Sequence, residues 1–365
     1  VEEMSSYWME NFANPSSKGN LSGLYASASL EVSRNKIQEN LNLFHKKIIF
    51  TSGATESNNL ALLGLARNFY KRKGKFGHII TLNTEHNAVL EPLRELKKIG
   101  FSLTEITPEA DGIVSIKEIL KAFRKDTFLV SIMLANNEIG VIQPLENISK
   151  ICKEREIILH TDASQCLGYI PFNSIDSIAN LLTISSHKIY GPKGVGLLIL
   201  DKDIQIEPLI IGGGQEYGIR SGTIPLPLTM GFAKAIELAV INQEKNATTL
   251  SFHRDNLLKG LLENNSEMKI NGSMKERLPH NLNITFARLS GSLLHKKLKP
   301  QIVCSSGSAC SNGKPSHVLL ALGRSFSEAE SSIRLSIGLM TTSQDIQKAI
   351  EIITSIVSNL RSKSY

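Results

Sequence analysis

No run of apolar residues in this 365-residue chain approaches the roughly 20 that a membrane-spanning helix requires. The strongest, GVGLLIL at 194–200, has the length of a strand. The opening VEEMSSYW is acidic and lacks the basic-then-apolar order of a signal peptide. Cysteine is scarce: Cys152, Cys166, Cys304 and Cys310 show no CxxC spacing, which rules against a disulfide framework and leaves a paired-cysteine zinc site without support. A reducing compartment, and so a cytoplasmic location with no membrane partner, is the simpler expectation. HExxH is absent, as are internal repeats and low-complexity segments. Nucleotide signatures fail as well. GPKGVGLL lacks the GxxxxGK[ST] order, Ile199 stands where a GxGxxG fingerprint needs glycine, and GGGQEYG fits neither.

The formal net charge is +7, with basic residues gathered in RNFYKRKGK (67–75) and HKKLK (295–299). One reading is solvated surface, because the first cluster closes a helical pattern where cations complement the dipole and Gly74 can cap. The other is an acidic or RNA partner. Net charge alone is weak evidence for that, and direct nucleic-acid binding is not expected.

What is present is an alternation. From residue 48 to about 200, short β-branched runs (KIIFTSG, HIITLN, FSLTEI, FLVSIML, IILHTD, LLTISS, GVGLLIL) alternate with amphipathic helical patterns such as SNNLALLGLARNFY and VLEPLRELKKIG. That order predicts an α/β fold, a mostly parallel sheet with helices on both faces. After GGGQEYGIRSGTIP the pattern changes to a long helical stretch near 226–245 and then to mixed strands and helices. We therefore expect a large domain over 11–245 and a smaller α+β domain over 246–365, joined by residues 1–10.

Sites in such sheets lie beyond the carboxyl ends of the strands. Those ends carry TSGATES, TEHN, ANNEIG, HTDASQ and SSHK. In TSGATESNN a strand ends, Gly53 permits an unusual turn and a helix begins, an arrangement that holds a phosphate on free amides. A plain helix start capped by Ser52 or Thr55 reads the same letters. Lys188 follows a strand pattern, as a phosphate counter-ion, a surface group or an amine that bonds a carbonyl. Asp162 supplies a fixed carboxylate at the end of the preceding strand. An aspartate on a ring nitrogen and a lysine on an aldehyde are the two groups a pyridoxal phosphate site requires.

Eight motifs in order, TSGATESNN, TEHNAVLEP, NNEIGVIQP, HTDASQCLG, SSHKIYGPKGVG, RSGTIP, SSGSAC and IRLSIG, resemble the cysteine desulfurases of the NifS and IscS type. These belong to the class-V aminotransferases, pyridoxal phosphate enzymes of fold type I, and the resemblance runs from about Asn14 past Arg334. It implies that Lys188 bonds the cofactor aldehyde, Asp162 partners the ring nitrogen, and Gln165 meets the ring hydroxyl. His86 would stack on the ring and move protons. Thr55, Ser185 and His187 would hold the phosphate, Ala54 would lie against the cofactor, and Thr223 would reach the phosphate of a neighbouring subunit, which implies a homodimer. Asn137, beside the cofactor, and Arg334 would hold the substrate carboxylate.

Cys310, set among serines and glycines in SSGSACSNGKPSHVL (305–319), would then take sulfur from L-cysteine as a persulfide and carry it to an acceptor protein: an iron–sulfur scaffold, a tRNA-thiolation enzyme or another carrier. An unperturbed thiol with a pKa of about 8.5 is only a few per cent ionised at neutral pH, so activation is expected, with His86 and nearby lysines as candidates. The plain alternative is a passive surface cysteine. Cys152, Cys166 and Cys304 read as buried structural residues. The family's opening strand and ATTP-type turn are expected ahead of Val1. The segment from Cys310 to Pro315 is short beside the bacterial housekeeping members, so a smaller reach is expected. A selenocysteine lyase or aminotransferase would use the same lysine and aspartate, and a scaffold that no longer turns over is the non-enzymatic alternative.

Overall fold

The computed structural model describes residues 1–171, 178–306 and 315–362. Seven strands build the first sheet: β1 (Lys46–Thr51), β2 (His78–Leu82), β3 (Ser102–Ile106), β4 (Thr127–Ser131), β5 (Ile158–Asp162), β6 (Leu181–Ser185) and β7 (Gly196–Asp201). Their order is β1-β7-β6-β5-β4-β2-β3. β3, β2, β4, β5 and β6 pair in parallel, while β7 runs antiparallel to both β6 and β1. The expected, mostly parallel α/β sheet is therefore present.

Both faces of this sheet are covered, which explains why β2, β4 and β6 are buried along their whole length. Alternation within each strand sorts the side chains. Ile48, Phe50, Leu182, Ile184, Leu197 and Ile199 enter one apolar cluster, whereas Ile49, Leu181, Leu198 and Leu200 enter the other. Helices α1 (Glu2–Met9) and α2 (Leu21–Leu41) precede the sheet, and α3 (Ala54–Lys73), α4 (Asn87–Lys98), α5 (Ile116–Ala122) and α6 (Leu145–Glu154) connect its strands. α7 (Leu226–Ile241) follows it. α2 and α7 supply Ala26, Ile37 and Phe232 to the first cluster, and α3 and α4 supply Leu60, Leu65 and Leu93 to the second. α3 ends at Gly74 in a left-handed conformation (φ 64°) after Lys71, Arg72 and Lys73, so the basic cluster does close a helix.

A buried ion pair lies inside the first layer. Arg34 of α2 donates to the Ile48 carbonyl at 2.5 Å and to Glu216 Oε1 at 2.8 Å, while Glu216 Oε2 accepts the Phe50 amide at 2.7 Å.

The chain turns from α7 into α8 (Gln243–Asn264) at Asn242, so the boundary expected at 246 falls inside a helix. A second sheet follows, of β8 (Met268–Ile270), β9 (Asn281–Phe286), β10 (Ser305–Ser306) and β11 (Ser332–Ser336). It is antiparallel throughout, in the order β10-β11-β9-β8. Helices α9 (Gly291–Leu298), α10 (His317–Ala321), α11 (Phe326–Glu330) and α12 (Ser343–Arg361) accompany it. α8 and α12 cover it through Leu250, Leu257, Leu261, Ile353 and Val357. Residues 1–10 were expected with this smaller unit. Instead α1 packs on α7, with Met4 beside Gly231 and Tyr7 against the first sheet's core. Among the described residues no helix is long and apolar enough to cross a membrane, and no cluster of side chains suits a metal ion.

Candidate active site

A cavity of ≈ 560 Å³ opens at the carboxyl ends of β1, β2, β4, β5 and β6, facing β11 of the second sheet. Ala54, Thr55, His86, Asn137, Asp162, Gln165, His187, Lys188 and Arg334 all line it. Ser185 lies just behind, fully buried, its hydroxyl 2.9 Å from His187 Nδ1. Thr223 is exposed and outside this lining. Cys310 lies outside the described residues. The chain enters its segment through β10, where Ser305 stands opposite Arg334 in the ladder.

Each wall has a local cause. α3 begins at Gly53, whose φ of 150° excludes most side chains, and its N-terminus has no side-chain cap. The side-chain cap that a plain helix start would draw from Ser52 or Thr55 is therefore not made. The Ser52 amide instead donates to Glu56 Oε2 at 2.7 Å, and the Thr55 side chain lines the cavity. Gly196 of β7 lies so close to Gly53 that a Cβ there would stand 2.7 Å from the Gly53 Cα, so this turn needs glycine on both sides. Uncapped first-turn amides beside His187, Lys188 and Lys193 form an anion cradle.

Asp162 ends β5. Its Oδ2 accepts Asn58 Nδ2 at 2.7 Å and its Oδ1 accepts the Ser164 amide at 2.9 Å, which holds the carboxylate in one orientation. Below it on β5, His160 is fully buried between Ser131 (2.9 Å) and Thr183 (3.4 Å), and burial pushes its pKa down to about 4.

His86 caps α4 by accepting the Ala88 amide on Nδ1 at 3.0 Å, which leaves Nε2 as the protonated nitrogen. Burial lowers its pKa; Lys188 and His317 push the same way against Asp162, so the ring is neutral. Burial and the neighbouring Lys188 and Lys193 lower His187 likewise. Next to His86, Glu85 is completely buried. Its Oε1 accepts the Met133 amide at 2.7 Å, and burial, helped by Asp162 and opposed by that amide, raises its pKa well above the carboxylate range. Arg334 donates from Nη1 to the Asn137 carbonyl at 3.2 Å, while its buried Nε has no partner among the described residues.

These residues fit pyridoxal phosphate. A pinned carboxylate suits a protonated ring nitrogen, the α3 amides suit a phosphate, and Lys188 lines the space between them. The unpartnered Arg334 Nε and Ser164 Oγ are buried polar atoms that a bound polar group would satisfy.

Comparison with known proteins agrees. The class-V aminotransferase family matches residues 1–349. The chain belongs to that family. It is 43% identical over 358 residues to the cysteine desulfurase IscS of Histophilus somni (strain 129Pt), covering 97% of this chain and 87% of that one. It is also 43% identical over 368 residues to a protein of Neisseria meningitidis (strain Z2491) with the same name, with 100% and 90% covered. A solved NifS-like protein superimposes with a TM-score of 0.90 at 36% identity, covering 98% of this chain and 95% of its own. SspA in complex with cysteine does so with a TM-score of 0.78 at 34% identity, covering 92% and 94%. This family member is a fold type I enzyme that uses pyridoxal phosphate.

The sequence reading missed Asn58, Glu85, Lys193 and Ser164. Asn58 stood in the quoted TSGATESNN, one helical turn after Thr55, and that spacing was its only signal. The three remaining cysteines are poor nucleophiles. Burial raises Cys152 to about 12, and it also raises Cys166 well above, and Cys304 above, the usual thiol value.

Proposed function

We propose that this enzyme is a cysteine desulfurase that converts L-cysteine to L-alanine, forms a persulfide on Cys310 and passes that sulfur to an acceptor protein. The observation that carries the reading is the register of β10 with β11. Arg334, which lines the cavity, and Ser305, which leads into the Cys310 segment, are ladder partners, so carboxylate binding and sulfur uptake share one scaffold.

When bound, pyridoxal phosphate withdraws electrons from the bonds around the substrate's α-carbon. Lys188 holds the cofactor and moves a proton at that carbon. Asp162, fixed by Asn58 and Ser164, holds the ring nitrogen's proton, and Gln165 meets the ring hydroxyl. Thr55, Ser185 and His187 hold the phosphate, and Ala54 lies against the cofactor. Arg334 binds the substrate carboxylate with its planar fork, and Asn137 completes that site. His86, neutral and protonated on Nε2, supplies a proton relay. The thiolate of Cys310 attacks the substrate sulfur. The carbon–sulfur bond breaks, its electron pair stays on carbon and is protonated, and the sulfur leaves as a persulfide on Cys310.

The exposure of Thr223 supports its reach to the phosphate of a second subunit, and with it a homodimer. The relatives' names favour this chemistry over a selenocysteine lyase or aminotransferase. The test is to incubate the holoenzyme with L-cysteine, quantify alanine and map the added sulfur by mass spectrometry. The sulfur is expected on Cys310, and Cys310→Ser should stop alanine formation. Sulfur on another cysteine, or an unchanged rate in the variant, overturns the assignment.

A further inference from the structure

The cavity continues past Lys188 into a second hollow of ≈ 330 Å³, which shares Asn137, Gln165, His187, Lys188 and Arg334 with the first. Its far wall includes His280 and Tyr169. The two rings lie 4.1 Å apart at 33°, and the Tyr169 side chain is hydrogen-bonded to Tyr190, whose hydroxyl accepts the Leu339 amide at 2.9 Å. The backbone of His280 is fixed as well, its carbonyl accepting the Ile337 amide at 2.9 Å. This ring is therefore held from both sides, yet its Nδ1 is shielded from solvent and has no partner among the described residues. A buried polar atom left unpaired beside a substrate cavity is suited to a bond with the ligand.

We propose that His280 is a specificity-determining residue that accepts a hydrogen bond from the thiol of bound cysteine. This rests on the desulfurase reading. With the substrate carboxylate on Arg334 and its nitrogen toward Lys188, the remaining arm of the α-carbon is the side chain, and the second hollow is where the shared wall continues.

Charge selects the thiol over the ammonium as the partner. Lys188 and His187 on one side, Arg334 on β11, Arg254 on α8, and the phenols of Tyr169 and Tyr190 surround the imidazole. Burial, then Lys188, Arg334 and Arg254, push its pKa down to about 4, so it stays a neutral acceptor among cations. A second ammonium is repelled there, whereas a thiol, weakly acidic and favoured by nearby positive charge as it ionises, is not. In the sequence His280 sits in LPHNLN, remote from every motif that marks the cofactor site.

The test uses the holoenzyme in a Cys310→Ser background, where bound cysteine keeps its sulfur. Absorbance titration compares L-cysteine with L-2-aminobutyrate, which replaces the thiol by a methyl group. The parent should prefer cysteine, and His280→Ala should weaken cysteine about tenfold, the loss of one hydrogen bond, while aminobutyrate shifts less than about twofold. His280→Asn, which keeps a polar group at that position, should retain part of the preference and serves in place of the alanine variant if that one fails to fold. Equal weakening of both ligands, or unchanged preference, overturns the proposal. Failure of the desulfurase reading shows separately, as no alanine from cysteine with Cys310 intact, and leaves the binding preference measurable.

Discussion

Arg220 grips Glu56 with two bonds, 2.7 Å from Nε and 3.2 Å from Nη2, and so ties the segment before Thr223 to the first turn of α3. Burial alone would raise the Glu56 pKa, but the hydrogen bonds from Arg220 and Ser52 bring it below the usual value. Arg220→Ala leaves that carboxylate half-paired beside the phosphate cradle. Cofactor retention measured by equilibrium dialysis should fall roughly tenfold, because an uncompensated negative charge then faces an anion. Arg220→Lys should recover only part of it, since an ammonium cannot make the forked contact.

Lys188→Ala should bind the cofactor without bonding it. After borohydride treatment and denaturation, the wild-type chain is expected to keep the cofactor's mass and the variant to lose it. Retention of that mass by the variant would show that another amine holds the aldehyde.

Three buried groups, one carboxyl and two imidazoles, set opposite slopes of stability with pH. Glu85 keeps a proton in the folded state that the unfolded chain releases above about 4.5, so its share of stability is full below that pH and is lost as pH rises. His160 and His280, both pushed to about 4, refuse a proton that the unfolded chain takes below about 6.5, so stability falls on acidification between those values. Thermal melts from about pH 4 to 9 should show a maximum between the two limbs. Glu85→Gln should flatten the alkaline limb and leave the acid limb in place. A variant that melts in parallel with wild type at every pH would contradict this.

Glu216 joins α2 to β1 by accepting both Arg34 and the Phe50 amide, with its backbone at a positive φ of 49°. Removing either charge strands the other in the core. Arg34→Met or Glu216→Gln alone should cost about 3–5 kcal/mol in denaturant unfolding. The double variant should lose less than the sum of the two, which is the signature of coupled sites.

The α/β order was legible because both faces of the first sheet are covered, which makes its strands short apolar runs distinct from the amphipathic helices between them. The strand ends were legible too, and the structure gathers Asp162, Lys188 and Arg334 at one cavity. What the letters did not disclose was long-range pairing. Asn58 meets Asp162 across 104 positions, and Arg34 meets Glu216 across 182. No local period encodes such contacts. The cap at Ser52 or Thr55 failed for a backbone reason, since Gly53 takes the cap position in a conformation those residues avoid. The helical stretch near 226–245 was read as one element. Asn242 divides it, and the second half turns to cover the other sheet.

The pairing of Ser305 with Arg334 also acts as a leash. Three residues lie between Ser306 and Cys310, and a fully extended chain spans no more than about 3.5 Å per residue, so the Cys310 Cα cannot lie beyond about 14 Å from that anchor and its thiol reaches only a side chain's length further. On the far side, Ser316 is moored to Glu138 by its hydroxyl. On the proposed desulfurase reading, delivery would be a short-range hand-off. An acceptor would have to bring its own receiving atom down to the rim of the pocket, and its shape there, more than the stretch of the donor, would decide whether it is supplied with sulfur.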